Sequence, residues 1–300
     1  VKEANAAERI AFLGGEPDRW RNNGDPLLQH MNNPDHYFDV EDLAPLEVEA
    51  VNLPPFRYDF VALATRMRAT HPERFPVINP ATDPNHTRAQ VGFLPWSITE
   101  GFARLKSAFS SLKTFEEDGT PAEIANARDN VVQYMGVLSH WVADSAQPLH
   151  TTRNFNGWMD GNPSNFTTNR TFHAWIDGGY LEKIGLPTVD ELRGRLRPGR
   201  VPWIVKADGT NFPVFATAVA YVMAQHKLVV PLYQLEKEGK FTGEGEDGRA
   251  GRVFLETQFV TAAQMLGDLW FSAWREARPD MYLKARLAER KARSQAPSRK

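Results

Sequence analysis

Three residues in the run LSHWVADSAQPLH, residues 138–150, have the types and spacing of metal ligands: His140, Asp144 and His150, in the order His-x3-Asp-x5-His. On a helix His140 and Asp144 share one face a turn apart, and Pro148 breaks the helix and swings His150 alongside them. A second pair, His173 and Asp177 in FHAWIDGGY, repeats the four-residue spacing on what reads as the start of a helix. Imidazole nitrogen and carboxylate oxygen are borderline donors of the kind zinc takes. Either pair alone reads equally well as polar residues on a helix face, bonded to backbone or water. Five potential ligands between positions 140 and 177, taking three of the chain's eight histidines, favour a metal cleft.

With those residues in view, the chain resembles the superfamily of bacterial zinc-dependent phospholipases C and fungal single-strand-specific zinc nucleases. The resemblance lies in the form HxxxDxxQPLH followed by a histidine with a carboxylate four residues on, here HWVADSAQPLH and then HAWID. It extends over roughly residues 15–180 and is densest at 138–177. It implies two further ligands upstream, an aspartate and then a histidine ahead of an aromatic-rich stretch. EPDRWR supplies Asp18, with Arg21 similar to an arginine that faces the phosphate, and DHYFDVED supplies His36. Asp25 and His30 are rivals for these two places, and the flanking arginine and aromatic positions favour Asp18 and His36.

Carried over residue by residue, the resemblance implies one zinc on Asp18, His36, His140 and Asp144, and a second on His150, His173 and Asp177. It also implies a third, bridged by Asp144 and held by an N-terminal tryptophan and a nearby histidine. This sequence opens VKEANAAERIAFLGG with neither residue, so two or three ions are expected. Zinc ions a few ångströms apart can acidify a shared water and hold a phosphodiester through in-line displacement. Asp18 would orient that water or take its proton, and Arg21 would offset charge on the equatorial oxygens. Gln147 and the TTRNFNGW loop after His150 are the natural partners for the ligands' remaining polar atoms.

The resemblance further implies a base-binding role for Tyr37 and Asp39, directly after His36, with Tyr180 as an opposite wall; ordinary core packing is the competing reading for the two tyrosines. Asp177 is similar to the nuclease residue, where the phospholipases more often carry glutamate. The expected activity is therefore zinc-dependent phosphodiester hydrolysis by a nuclease acting on single-stranded nucleic acid or nucleotides. A phospholipase C and a non-catalytic metal-binding homologue are the alternatives.

The elements that must position these groups read as all-α, a multi-helix bundle resembling the phospholipase C and zinc nuclease fold around a multinuclear zinc cleft. The 300 residues, 42% hydrophobic, suffice for one all-helical domain. A central helix from Pro121 to Ala146 carries Ile124, Ala127, Val131, Met135, Leu138 and Val142 at helical spacing, which sets His140 and Asp144 at the edge of a buried stripe. Helices are also expected at 2–13, 57–70, 211–237 and 250–276, and another after LPW with Ser97 as its cap and Glu100 three residues on. Residues 15–56, with six prolines, read as irregular chain. The C-terminal helices should span about 188–293. The last seventeen residues, from Lys284, hold seven Lys or Arg against one Glu and read as a solvated, frayed end.

Zero cysteines exclude disulfides and zinc-thiolate sites, so any zinc here must use histidine and carboxylate. A formal net charge of -2 provides no global basic field for a nucleic-acid backbone. No stable protein partner is expected, and no apolar run reads as long enough to span a membrane. The chain begins at Val1, and the family's export with a cleaved signal leads us to expect a secreted or periplasmic protein. The stretch from His36 to His140 is longer than the family's and points to an insertion within 45–120 that would shape the substrate cleft.

Overall fold

Pro121 opens the helix on which the fold is built, and Thr120 caps it: its hydroxyl accepts from Glu123 N while the Glu123 carboxylate accepts from Thr120 N. The computed structural model describes residues 5–159, 161–204 and 212–295. Among these the chain is helical with no strand, and one isolated antiparallel bridge joins Phe38 to Gly92. The helices are α1 (Ala6–Gly14), α2 (Glu16–Arg21), α3 (Pro26–Asn32), α4 (Arg57–Thr70), α5 (Leu94–Asp118) and α6 (Pro121–Ala146). There follow α7 (Phe172–Ala174), α8 (Tyr180–Ile184), α9 (Val189–Arg193), α10 (Pro213–His226), α11 (Val229–Lys237), α12 (Arg252–Glu276) and α13 (Met281–Gln295). A π-helical turn, Trp175–Gly179, joins α7 to α8, and short 3-10 turns fill much of residues 33–52.

α6 packs against α5, α1, α12 and α10. The main core lies between them, with Trp96, Leu105, Val131, Leu138, Val142, Val222 and Leu269 buried. A second core gathers Leu149, Phe172, Ile176, Tyr180, Leu232, Tyr233 and Leu255. The 34–39 segment is pinned along 91–94, where Phe93 N donates to Pro34 O at 2.6 Å and Asp39 N donates to Val91 O at 2.7 Å. Gly92 makes this approach possible. Its φ is +98°, and a Cβ there would stand 2.1 Å from Tyr37 O.

Several boundaries depart from the sequence reading. Residues 15–56 carry two helices, because Pro17 and Pro26 sit in first turns, where the missing N–H costs nothing. The helix after residue 93 begins at Leu94 rather than at a Ser97 cap. Ser97 lies inside it, its hydroxyl donating to Phe93 O at 3.0 Å, and Glu100 instead accepts from Arg57. The expected helix 211–237 is two helices meeting at Lys227–Leu228, since Pro231 removes a backbone donor and crowds the preceding turn; residue 211 lies outside the described residues. By length and composition alone the span Pro213–Lys237 would pass for a membrane crossing, its most apolar 18-residue window having a mean hydropathy of 1.2, a run the sequence reading did not single out. Within that window 39% of the residues are buried, among them Phe215, Ala218, Val219 and Val222 in the main core. The basic end is not frayed over its described part: α13 docks through Leu287, Lys284–Glu117 and a two-bonded Arg290–Glu123 pair. Residues 296–300 of that tail lie outside the described residues.

α1 crosses α6 at Gly136, where a Cβ would meet Leu13 Cβ at 2.4 Å and Ile10 O at 2.9 Å. Gly136→Ala should therefore push α1 away and cost about 1–3 kcal/mol, the usual range for overpacking. The expected outcome is a lower Tm, measured by calorimetry, together with weaker binding of one metal equivalent, because α1 also carries the carbonyl that orients His140.

Candidate metal centre

The first cluster is assembled from three elements. His140 and Asp144 project from the last turns of α6, with His140 Nε2 3.2 Å from Asp144 Oδ2. His36 ends a 3-10 turn, is 1% exposed, and places Nδ1 3.0 Å from Asp144 Oδ2 and 2.9 Å from His140 Nε2. Asp18 on α2 brings Oδ1 to 3.8 Å from His36 Nδ1 and 3.9 Å from His140 Nε2. Arg21, one turn further along α2, holds its Nη1 3.9 Å from the same Asp18 oxygen.

Pro148 stops α6 and a 3-10 turn carries His150 inward, where the second cluster forms. His150 Nε2 faces His173 Nε2 at 3.0 Å, and Asp177 Oδ2 lies 2.8 Å from the His173 nitrogen and 3.5 Å from the His150 nitrogen. Gln147 donates from Nε2 to Asp177 Oδ1 at 2.7 Å and fixes that carboxylate with its other oxygen inward. Asn156, in the loop after His150, accepts from His173 N at 3.1 Å and anchors the start of α7.

Hydrogen bonds on the far side of two rings decide what faces the centre. A carbonyl oxygen only accepts, so His140 Nδ1, 2.8 Å from Gly14 O, and His150 Nδ1, 2.6 Å from His36 O, must carry protons. Their Nε2 atoms then present lone pairs inward, toward other nitrogens and carboxylates, as metal ligation requires. His36 lacks such an anchor: its Nε2 is buried with no partner among the described residues. Ligand atoms of Asp18, His36 and His140, and of His150, His173 and Asp177, lie within 4.8 Å of one another in each group. These groups could hold metal ions, and an all-nitrogen-and-oxygen donor set is compatible with zinc without identifying it. Among the described residues no further group of this kind occurs to hold a third ion.

Without a cation the clusters trap protons. Burial works against the charged form of His150, but Asp144 and Asp177 outweigh it and raise its pKa to about 9. Burial likewise opposes a charged His140, which Asp144 and Asp18 nevertheless hold above its ordinary value. Burial dominates at His36 and lowers it. Despite their own burial, Asp144 and Asp177 are held well below the usual carboxylate range by the neighbouring imidazoles.

Both clusters open on one cavity of about 490 Å³, lined by Asp18, Arg21, His140, Asp144, His150, His173 and Asp177 and closed on one side by α12. Comparison of the chain with protein-family models, curated proteins and solved structures gave no match.

Of the residues singled out from sequence, the seven ligand candidates and Arg21 meet at this centre. The rivals are used elsewhere. Asp25 caps α3, accepting from Leu27 N at 2.8 Å, and His30 Nδ1 donates to Asn85 O at 2.8 Å. Tyr37, Asp39 and Tyr180 do not line the cavity. Tyr180, 0% exposed, packs edge-on against Phe241 in the second core and has no open ring face to offer a base. Tyr37 is largely covered and its hydroxyl donates to Gln90 O at 3.4 Å, while burial and the nearby Asp42 and Glu41 raise the Asp39 carboxyl well above its ordinary range. The long stretch from 45 to 120 also contributes nothing to this cavity, contrary to the expectation that it shapes the cleft. The wall that sequence reasoning missed is α12, with Leu255, Gln258, Phe259 and Ala262, and its residue types carry no chemical signature.

Elemental analysis after dialysis should find two metal ions per chain, falling to one in His173→Ala with the first cluster intact. In chelated protein the raised pKa of His150 contributes stability that is fully present below about 6.5 and lost as pH rises through about 9. Thermal melts of the chelated protein should therefore fall across that window. Uptake of a divalent metal at pH 7 should release protons, measurable by calorimetry in buffers of different ionisation enthalpy.

Proposed function

We propose that the chain is a zinc-dependent phosphodiester hydrolase of the phospholipase C and single-strand-specific nuclease type, acting as a nuclease on single-stranded nucleic acid or nucleotides. The observation that carries this reading is the shared cavity, with two adjacent His/Asp clusters and one arginine on its wall. The donor sets fit two ions: Asp18, His36, His140 and Asp144 for one, His150, His173 and Asp177 for the other. Bound there, zinc would supply Lewis acidity to a phosphoryl oxygen and lower the pKa of water.

The chain's own groups do the rest. Asp18 is the exposed member of its cluster, with a side chain 53% accessible, so its carboxylate can orient an incoming water and take its proton. Arg21 stands beside it at the cavity wall, where its guanidinium can pair with the equatorial oxygens as charge gathers on them. The Gly14 and His36 carbonyls keep His140 and His150 in the tautomer that leaves Nε2 free. Gln147 holds Asp177 so that one oxygen remains committed to the centre.

Purified protein should hydrolyse single-stranded DNA or RNA in preference to phosphatidylcholine vesicles. Chelation should abolish the activity, and added zinc should restore it. Arg21→Ala should lower kcat by about 10²–10³-fold, the loss typical of removing one group that stabilises transition-state charge, with zinc content unchanged. Preferential release of a phosphorylated headgroup would transfer the reading to a phospholipase C. No turnover by fully zinc-loaded protein would leave a metal-binding homologue without catalysis.

A further inference from the structure

We infer that Phe259 on α12 is a specificity-determining residue that receives a planar aromatic ring of the substrate against its face; the inference rests on the phosphodiesterase reading above. Phe259 is 40% exposed, the only large apolar side chain on the cavity wall, among the described residues, with that degree of exposure. Its apolar neighbours on the wall, Ile176 and Leu255, are buried in the second core and present little surface. The wall therefore offers one ring-sized apolar face beside a rim of ionic groups, not a long greasy groove for an acyl chain.

The ring stands on a firm support. One turn before it on the same wall lies Leu255, and at the adjacent position Gln258 donates from its buried Nε2 to Ala146 O at 2.7 Å. That carbonyl belongs to the last residue of α6, two positions after Asp144, so α12 is tied to the backbone that carries the metal ligands. A second contact from Gln258 Nε2 to Gln225 Oε1, at 2.5 Å, joins α10 to the same point. The backbone that bears Phe259 is thus fixed relative to both clusters before substrate arrives, so that an aromatic group stacked on its ring needs little reordering of α12. A substrate whose phosphate reaches the ligands and Arg21 while an adjoining ring lies on Phe259 satisfies both halves of the cavity, and a nucleobase-like ring has that shape.

The test uses the full zinc-loaded chain and two diesters with the same leaving group, phenyl 4-nitrophenyl phosphate and methyl 4-nitrophenyl phosphate. The quantity read is the ratio of their kcat/KM values, so that intrinsic reactivity cancels between variants. Phe259→Ala should reduce the wild-type ratio about tenfold, mainly through KM for the phenyl diester, as expected from removing one stacking face. Phe259→Trp should keep the ratio and Phe259→Leu should lose most of it. Zinc content and Tm, measured alongside, should match wild type in all three variants. Unchanged kcat/KM for both diesters in Phe259→Ala overturns the inference and leaves the phosphodiesterase reading standing, whereas an equal fall for both supports it by placing the shared nitrophenyl ring on Phe259. Wild-type kcat/KM values retained by Phe259→Leu also overturn it, since any apolar bulk, including contact with an acyl chain, would then suffice. Hydrolysis of neither diester, nor of single-stranded nucleic acid, by zinc-loaded wild type removes both readings together.

Discussion

Four ring nitrogens and three carboxylates are held with their electron-rich faces turned toward one another, and the rest of the structure is organised around that repulsive arrangement. Acceptors at such distances are tolerated only with a proton or a cation between them. Two of the rings cannot turn to relieve the strain, because the outer nitrogens of His140 and His150 are committed to carbonyl oxygens. The energy for holding them comes from elsewhere. The close-packed sides of α6 and the aromatic second core supply burial, and the ligands occupy the seam between these two apolar bodies.

His36 is where the two clusters become one object. Its imidazole belongs to the first, its carbonyl orients His150 of the second, and two residues on Phe38 N donates to His150 O at 2.8 Å. A shift of the 34–39 segment would therefore disturb both centres at once. The bridge to Gly92 and the hydrogen bonds to 91–94 suppress that shift by fixing the segment to the start of α5. This is how residues more than a hundred positions apart in sequence keep ångström registration.

The local half of the site was legible in the sequence. His140, Asp144 and His150 follow from helix geometry plus a proline stop, and the limits of α6 were readable from Pro121 and Pro148 because proline acts on the backbone itself. Asp18 and His36 were another matter. Helix geometry does not choose between them and Asp25 and His30, and it was the fit of the flanking arginine and aromatic positions to a known pattern that did. The D-P pair at 25–26 did hold a clue, an N-cap followed by proline at the first helical position, which removes Asp25 from contention. Likewise Phe172, Ile176 and Tyr180 recur every fourth residue, a core stripe that was the stronger explanation of Tyr180. The break at Lys227–Leu228 was foreshadowed by Pro231. The α12 wall was not foreshadowed at all, since an exposed phenylalanine acquires meaning only from the ionic groups that the fold brings beside it.

The π-helical turn at Trp175–Gly179 lies within the segment that bears His173 and Asp177. Such a turn accommodates one residue more than an α-helical turn, and ligands and core residues alternate through it: His173 and Asp177 face the cavity, Phe172, Ile176 and Tyr180 the second core. Removing a single residue from Gly178–Gly179 would let the segment relax into ordinary α-helix while Tyr180 and Leu181 keep their places in the second core. Asp177 would then be carried about 100° around the helix axis, away from Gln147 and His150. The chain thus holds its second cluster by a margin of one residue in length. Ligand placement and core packing hang on the same turn, because the rotation that removes Asp177 from the cluster would also take Phe172 and Ile176 out of register with the second core.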